Sequence, residues 1–317
     1  MTLLIMGSVN RDITAQLPEF PQPGETLLAT ASETATGGKS ANQAVAAALV
    51  GAEAHLIARC GPDAAGADAV SSLRDAGVHI DAVTPGRGAQ GMAFITVRAD
   101  GENTIVVVPG ANAELTAHDC PQELLERADW ILFSLEVPLD TVLESSARAR
   151  AAGVKVALNA SPLTGQPLDL RDVDLVIANE GEAAQLLSHA THAGVDSDSA
   201  AQGSRPGKPP PGDFAAALGL ETLIVTLGAQ GASIHEAGRD PARVPSVEVD
   251  AVDTSGAGDA FAGALLGRLT RGDSLETAAA IASRFAASAT TRVGAQASYP
   301  RDFRLGGPAG VTVATGS

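Results

Sequence analysis

The 317-residue chain contains few aromatic residues and few cysteines. Phe, Trp and Tyr together make up 3% of it, so Ala, Val and Leu must fill the core of a chain that is 45% apolar. The two cysteines, Cys60 and Cys120, lack the number and spacing of a disulfide framework or a zinc site. We therefore expect a globular protein with two buried, reduced thiols.

Basic residues and long apolar runs are scarce as well. The 21 basic and 37 acidic residues give a formal net charge of 21 − 37 = −16. This sign argues against a nucleic acid or an anionic membrane as partner, although a pocket for phosphate can still be locally positive. No apolar run could span a bilayer, and residues 1–7 lack the basic start of a signal peptide. We expect a cytoplasmic enzyme or binding protein.

Short β-rich runs alternate with Ala-rich helical runs along most of the chain. This alternation predicts an α/β protein, with a mostly parallel sheet flanked by helices on both faces. The predicted buried strands are residues 3–6, 55–58, 130–134, 154–158, 175–178 and 223–227. The predicted helices are residues 42–50, 140–152, 180–188 and 257–269.

Four strand-like segments have little helix between them, namely residues 12–17, 27–34, 92–98 and 104–108. The last two flank Asp100 and Gly101, a pair typical of a hairpin turn. We predict that they form a small, separate antiparallel sheet. Such a sheet would serve as a lid over the carboxyl ends of the parallel strands, where ligands bind in open α/β sheets. Its exposed face is a candidate dimer contact.

One domain is predicted over residues 1–304, with the lid strands belonging to it. Residues 190–213 are rich in Ser, Gly, Pro and Asp, and we interpret them as a flexible surface insertion because the strand–helix rhythm resumes directly afterwards. Residues 305–317 are Gly-rich and are expected to form a flexible tail.

Residues 253–259, with the sequence Asp-Thr-Ser-Gly-Ala-Gly-Asp, run directly into an apolar helical segment. Two glycines ahead of a helix allow consecutive backbone N–H groups to face an anion, and the helix dipole favours negative charge there. The Asp259 carboxylate would repel such an anion. Its position makes sense if it takes a proton from a nucleophile that attacks a phosphate. The alternative is a capped helix with glycines for a tight turn.

Two glycine-rich segments fail the commoner nucleotide-binding patterns. Gly37 to Ser40 end like a P-loop, but Glu33 stands where the first glycine is required. Gly256 and Gly258 are not a dinucleotide fingerprint, since Phe261 occupies the third glycine position, and an NAD-dependent oxidoreductase is disfavoured. The turn before residue 41 can nevertheless present Lys39 and Asn42 to hydroxyls or phosphate; an ordinary glycine turn is the alternative.

Three more polar or glycine-rich segments follow predicted strands. Asn10 and Asp12 lie two apart in an extended segment and face the same side, which suits vicinal sugar hydroxyls or simple turn chemistry. Asn179 and Glu182 can form a capping box, hold a hydrated Mg²⁺ at nucleotide phosphates, or do both. Residues 226–231 contain glycines that let the backbone approach a ligand closely.

Taken together, these segments resemble the ribokinase-like (PfkB) carbohydrate kinase family, and within it the ribokinases, from Gly7 to about Ser298. The order and spacing of several short segments carry the resemblance. They are residues 23–26, 37–39, 41–43, 110–112, 135–136, 253–254, 257–259 and 294–296.

The resemblance implies a three-layer ribokinase-like fold and transfer of phosphate from ATP to a sugar hydroxyl, expected on O5 of D-ribose. It also implies Mg²⁺ with the ATP and K⁺ as an activator. The exposed lid face separately predicts a homodimer formed through the lid sheet. Other substrates in the same chemistry are 2-deoxyribose, fructose or a nucleoside. A sugar-binding regulator without catalysis is a less favoured reading, because Asp259 and the glycine turn are intact.

The resemblance assigns roles to residues of this sequence. Asp259 is the expected base, and the backbone N–H groups of Gly256, Ala257 and Gly258 are the expected anion hole. The sugar-binding set is Asn10, Asp12, Gly38, Lys39, Asn42, Glu136 and Asp259. The ATP set is Asn179, Thr226, Gly228, Gly231, Gly258 and Ser283. Asn179 and Glu182 match the Mg²⁺ motif, and K⁺ would be held by Asp253, Ser255, Thr290, Val293, Ala295 and Ser298, mostly through carbonyl oxygens.

Two positions depart from the ribokinase pattern. Ser40 stands where glycine is usual, which could narrow the sugar pocket or alter its preference. Ser255 stands where an aliphatic residue is frequent. Neither departure removes a catalytic group.

Overall fold

The computed structural model describes residues 1–98, 102–192 and 214–305. The predicted hairpin turn, most of the predicted insertion at 190–213 and the predicted tail beyond residue 305 lie outside the described residues. Within the described ranges, no helix has both the length and the apolar character needed to cross a bilayer.

Thirteen strands and eight α-helices are described within these ranges. In chain order they are β1 (Thr2–Met6), β2 (Asn10–Leu17), β3 (Ala31–Gly37), α1 (Lys39–Leu49), β4 (Glu53–Cys60), α2 (Ala64–Asp75), β5 (His79–Pro85), β6 (Gly91–Arg98), β7 (Asn103–Val108), α3 (Gln122–Leu125), β8 (Ala128–Phe133), α4 (Leu139–Ala151), β9 (Lys155–Asn159), β10 (Leu175–Asn179), α5 (Glu180–His192), α6 (Phe214–Ala217), β11 (Thr222–Thr226), β12 (Ala232–Glu236), β13 (Ala242–Val244), α7 (Ala257–Leu269) and α8 (Leu275–Ala289).

The main sheet has nine strands in the order β13-β12-β11-β10-β9-β8-β1-β4-β5. Every pair from β11 to β5 is parallel, while β12 and β13 add an antiparallel edge. The strand order reverses at β1, which lies between β4 and β8. Ligands of open α/β sheets bind outside the carboxyl ends of the strands at such a reversal, so the topology itself points to the loops after β1 and β8.

Two apolar cores lie on the two faces of this sheet. Successive side chains of a strand point to opposite faces, and β1 divides accordingly. Leu3 and Ile5 join the core beneath α1, α7 and α8, and Leu4 and Met6 join the core beneath α4 and α5. The three-layer α/β architecture predicted from the sequence is therefore confirmed, and all ten predicted main-sheet strands and helices are present.

A separate four-stranded sheet has the order β3-β2-β6-β7. Its outer pairs are antiparallel, and its central pair, β2 with β6, is parallel. The predicted strand at residues 27–34 was misplaced, because β3 runs from Ala31 to Gly37. The start of β3 is set by its register with β2, because Ala31 pairs with Gln16 near the end of β2. Upstream of Ala31, the described backbone bond to β2 is the one from Thr30 N–H to the Gln16 carbonyl.

Candidate active site

Asp259 lies in the first turn of α7 and is 5% exposed. Three side-chain amides donate to its carboxylate. Asn42 Nδ2 lies 3.0 Å from Oδ2, Gln43 Nε2 lies 3.1 Å from Oδ1, and Asn159 Nδ2 lies 3.4 Å from Oδ1. Lys39 Nζ is 3.8 Å from Oδ1. The carboxylate is thus oriented by neutral donors from α1 and β9 and by one ammonium group.

The turn before α7 depends on a left-handed glycine. Gly256 has φ 70° and ψ 3°, and a Cβ there would lie 2.7 Å from the Ala295 side chain. Its carbonyl accepts from the Tyr299 hydroxyl at 2.9 Å. The first N–H groups of a helix have no intrahelical acceptor, and that of Gly258 has no backbone acceptor among the described residues, so it can face an anion. Ala257 N–H makes one long turn bond, 3.2 Å, to the Thr254 carbonyl.

Two of the predicted sugar-binding residues, Asn10 and Lys39, hydrogen-bond to a third, Glu136, which follows β8. Glu136 Oε2 accepts from Ser8 Oγ at 2.7 Å, from Lys39 N–H at 3.2 Å and from Asn10 Nδ2 at 3.5 Å. Asn112 Nδ2 donates to Asn10 Oδ1 at 2.8 Å. Residues from β2, α1 and the β8–α4 loop therefore meet at the reversal point of the sheet, as the topology requires.

The charged groups in this cluster shift one another's pKa values. Burial raises the pKa of Asp12 to about 7, and the nearby carboxylates of Glu136 and Asp259 add to that rise. Burial lowers the pKa of Lys39, but the fields of Asp259, Glu136 and Glu182 outweigh burial and leave that pKa above its ordinary value. Lys39 is therefore charged at neutral pH. The buried Oδ1 of Asp12 has no hydrogen-bond partner among the described residues, so it is available to a ligand hydroxyl.

A cavity of about 590 Å³ lies on the other side of the α7 turn. Ala257 and Phe261 of α7 contribute to its wall. Ser283 Oγ is buried there without a partner among the described residues. Five residues of the predicted ATP set line the cavity, namely Thr226, Gly228, Gly231, Gly258 and Ser283.

Asn179 is not part of that wall. Its N–H donates to Glu182 Oε2 at 2.9 Å, and its side-chain oxygen accepts from Glu182 N–H at 2.9 Å. The predicted capping box is therefore present at the start of α5. It engages one oxygen of the Glu182 carboxylate.

Two comparisons identify the family of this chain. The model of the pfkB family carbohydrate kinases matches residues 2–302. This chain belongs to that family. It is 35% identical over 307 residues to the ribokinase of Haemophilus influenzae, covering 94% of this chain and 95% of the relative. It is 33% identical to a deoxyribokinase of Salmonella typhi, covering 95% and 96%.

Solved structures agree with that assignment. A ribokinase structure from Thermotoga maritima has a TM-score of 0.80 at 30% identity and covers 94% of this chain and 96% of its own. The Arabidopsis thaliana ribokinase complexed with ribose and ATP has a TM-score of 0.78 at 28% identity, with coverage of 94% and 95%. As a carbohydrate kinase of this family, the chain is a phosphotransferase acting on a sugar hydroxyl.

In this carbohydrate kinase, two loops beside the α7 turn contain all six residues predicted to hold K⁺. Asp253 joins the loops, since its Oδ1 accepts from Ser255 N–H at 2.9 Å and its Oδ2 accepts from Gly294 N–H at 2.8 Å. The Thr290 carbonyl accepts from Asp253 N–H at 3.1 Å. The described residues contain no group of three or more His, Cys, Asp or Glu side chains arranged for a metal ion.

A second cavity, of about 570 Å³, lies between the lid sheet and these loops. The inner face of β2 contributes Asp12, Thr14 and Gln16, and the loops contribute Ser255 and Ala295. Gly37 packs against the Asp12 carboxylate so closely that any Cβ there would overlap it. Of the predicted sugar-binding residues, Asp12 lines this cavity, and it belongs to a strand of the lid sheet.

Several residues of the site had no assigned role in the sequence. Gln43 and Gln296 lie inside segments that carry the family resemblance, and this position could have indicated that they belong to the site. Asn159 gave no signal beyond ending a strand at the reversal edge of the sheet. Ser40 is fully buried, and its Oγ lies 3.0 Å from Ser134 Oγ and close to Gly7. Its side chain therefore points beneath the glycine turn.

Proposed function

We propose that this carbohydrate kinase is an ATP-dependent ribokinase that phosphorylates D-ribose on O5. The observation that carries the proposal is the position of Asp259 between two sites. It contacts the sugar-side residues Asn42 and Lys39, and it belongs to the same helical turn as Gly258, which lines the second site, the 590 Å³ cavity.

The chemistry follows from that position. The sugar hydroxyl gives its proton to the Asp259 carboxylate while its oxygen forms a bond to the γ-phosphorus of ATP. The bond from the γ-phosphorus to the bridging oxygen breaks, and ADP leaves with the electron pair. Backbone N–H groups at residues 256–258 would stabilise the charge that develops on the transferred group.

Asn10, Asp12 and Glu136 would recognise the sugar through its hydroxyls. Buried polar groups of this kind discriminate strongly, because a substrate that lacks one hydroxyl leaves its partner unpaired. The ribokinases among the relatives support ribose as the substrate. The deoxyribokinase relatives make 2-deoxyribose the second candidate.

Mg²⁺ would accompany ATP at the start of α5. Asn179 and Glu182 fit a hydrated ion, since Mg²⁺ keeps several waters and needs few protein ligands, and the capping box engages one carboxylate oxygen of Glu182. When bound, the ion would neutralise charge on the nucleotide phosphates. Glu182 and Asn179 would orient its waters.

K⁺ would bind between the two loops that Asp253 joins. Carbonyl oxygens suit such an ion, and Asp253, Ser255, Val293 and Ala295 from these loops line one cavity. A thermal-shift comparison of KCl with NaCl at equal ionic strength tests this independently of turnover. A higher Tm in KCl, lost in Asp253→Ala, supports the site; equal Tm values in both salts contradict it.

We also infer a homodimer formed through the lid. Phe94 and Val106 are a cross-strand pair, so they share one face, and they are 42% and 63% exposed. Val106→Asp should convert a dimer to a monomer in light scattering, and a wild-type monomer contradicts the inference. A cytoplasmic location stays part of the proposal, consistent with two buried, unpaired cysteines.

Measuring ADP release with ATP, Mg²⁺ and a panel of sugars tests the proposed substrate. We expect D-ribose to give the highest kcat/KM, with 2-deoxyribose, fructose and nucleosides lower. Saturating signal from another panel member with none from ribose would overturn the ribokinase proposal while leaving the kinase family intact.

A further inference from the structure

A buried glutamine lies beside the catalytic cluster without a role in it so far. Gln296 begins the 3₁₀ turn Gln296–Ser298 after α8 and is 8% exposed. Its Nε2 donates to Asn42 Oδ1 at 2.9 Å. It thus links the loop that follows α8 to the first turn of α1.

This bond fixes which way the Asn42 amide points. A carboxamide has one acceptor end and one donor end. Because Gln296 donates to the Asn42 oxygen, the Asn42 nitrogen faces Asp259 Oδ2, 3.0 Å away. The reversed amide would place two oxygens against each other, and it would leave a buried donor of Gln296 unpaired.

The two oxygens of Asp259 are not equivalent. Oδ1 accepts from Gln43 and Asn159, and Lys39 Nζ lies 3.8 Å from it. Among the described residues, Oδ2 receives one hydrogen bond, from Asn42. Oδ2 therefore keeps a lone pair for a substrate hydroxyl, and Asn42 is the group that sets its direction.

We propose that Gln296 is a positioning residue that acts through Asn42 to present Oδ2 of Asp259 as the proton-accepting oxygen. The inference rests on the proposed kinase chemistry and extends it to a residue outside the sugar, nucleotide and cation sets. Gln296 orients the base from the loop opposite α1, while Gln43 and Asn159 hold the other carboxylate oxygen.

Gln296→Met tests the first step, because methionine keeps the length of the side chain and removes its donor. Loss of one buried hydrogen bond predicts a decrease in kcat of roughly 3- to 10-fold. The KM for ATP should stay within about twofold, since Gln296 does not line the nucleotide cavity. Thr291→Val is the matched control, because Thr291 lies in the same loop and its hydroxyl bonds to the Ser288 carbonyl. It should retain wild-type kcat.

A double-mutant cycle with Asn42→Ala separates positioning from general loosening of the loop. We expect Gln296→Met to change kcat by less than about twofold in the Asn42→Ala background, because the contact from Gln296 through Asn42 to Asp259 is already absent there. An equal loss in both backgrounds, or wild-type kcat in the single variant, overturns the proposal. Should the methionine variant fail to fold, Gln296→Ala, which also removes the donor, replaces it in the cycle. Its decrease in kcat must likewise be smaller in the Asn42→Ala background.

The experiments distinguish an error in the proposed substrate from an error in the proposed positioning role of Gln296. If the wild type prefers another sugar to ribose, the cycle is measured with that sugar. The coupling between Gln296 and Asn42 in kcat then tests the positioning role of Gln296, whichever sugar is phosphorylated.

Discussion

The sugar side and the nucleotide side of this active site meet at the first turn of α7, and they are built differently. On the sugar side, polar side chains hydrogen-bond to one another, as Glu136 does with Ser8 and Asn10. On the nucleotide side, glycines and small residues line an open cavity in which Ser283 Oγ has no partner among the described residues.

This difference in construction predicts on which side a single substitution reduces binding or activity most. A preorganised set of buried polar groups loses more than one contact when one member is removed, because its partners are left unpaired. A cavity walled by backbone and small side chains depends on its shape and on the turn that bounds it. Side-chain removal on the nucleotide side should therefore have small effects, whereas disturbing the shared turn should have large ones.

Gly256→Ala disturbs the shared turn and should have a larger effect than Asp12→Asn on the sugar side or Ser283→Ala on the nucleotide side. The new Cβ would lie 2.7 Å from Ala295 Cβ at a φ of 70°. We expect kcat to fall about 10²- to 10³-fold, the cost of losing an oxyanion donor. Gly272→Ala is the control: φ is 90° there, but a Cβ meets open space. It should lower Tm through backbone strain and leave kcat intact; equal kcat losses in both would contradict the role of the turn.

Asp12→Asn breaks the sugar side. Loss of a charged hydrogen-bond acceptor should raise the sugar KM about 10- to 100-fold with little change in the KM for ATP. Since the pKa of Asp12 is raised to about 7, wild-type kcat/KM for the sugar should increase as pH rises through 7. Steady-state kinetics from pH 5.5 to 8.5 would show this increase, and the variant should lack it.

The same shift has a stability consequence for the unliganded protein. The folded state binds the Asp12 proton more tightly than the unfolded state does, so this group's contribution to stability is lost as pH rises from about 4 towards 7. Asp12→Asn should accordingly raise Tm more at pH 8 than at pH 5. A pH-independent difference in Tm would show that the carboxyl is not shifted.

Ser283→Ala sharpens the comparison from the nucleotide side and should have the smallest effect. Its hydroxyl can give at most one hydrogen bond to the nucleotide, so the KM for ATP should rise roughly 2- to 10-fold with kcat and the sugar KM unchanged. Ser188→Ala, at an exposed position on α5, serves as the neutral control. A larger effect on the sugar KM than on the KM for ATP would contradict the assignment of Ser283 to the nucleotide side.

The sequence predicted the parts of this molecule that local chemistry determines. The main-sheet strands have continuous apolar runs, and α7 begins at Ala257, where the glycine turn ends. It missed α2 and α8, although Asp63 and Ser274 give these two helices side-chain caps. It misplaced the start of β3, since that boundary depends on register with β2 rather than on local propensity.

The site divides in the same way. Asp259, Asn42 and Lys39 were identifiable from their motifs, and the structure brings them together. Asn159 and Gln296 contribute through contacts between residues 100 and 254 positions apart in the chain. No single segment contains that information, because folding the sheet and α8 creates those contacts.

Asp259→Asn is the most direct test of the account, because both sides of the site meet at this carboxylate. General-base catalysis predicts that kcat falls about 10²- to 10⁴-fold. Titration calorimetry should give a sugar Kd within roughly threefold of wild type, with ATP binding kept. Unchanged kcat in the folded variant would contradict the assignment of Asp259 as the base.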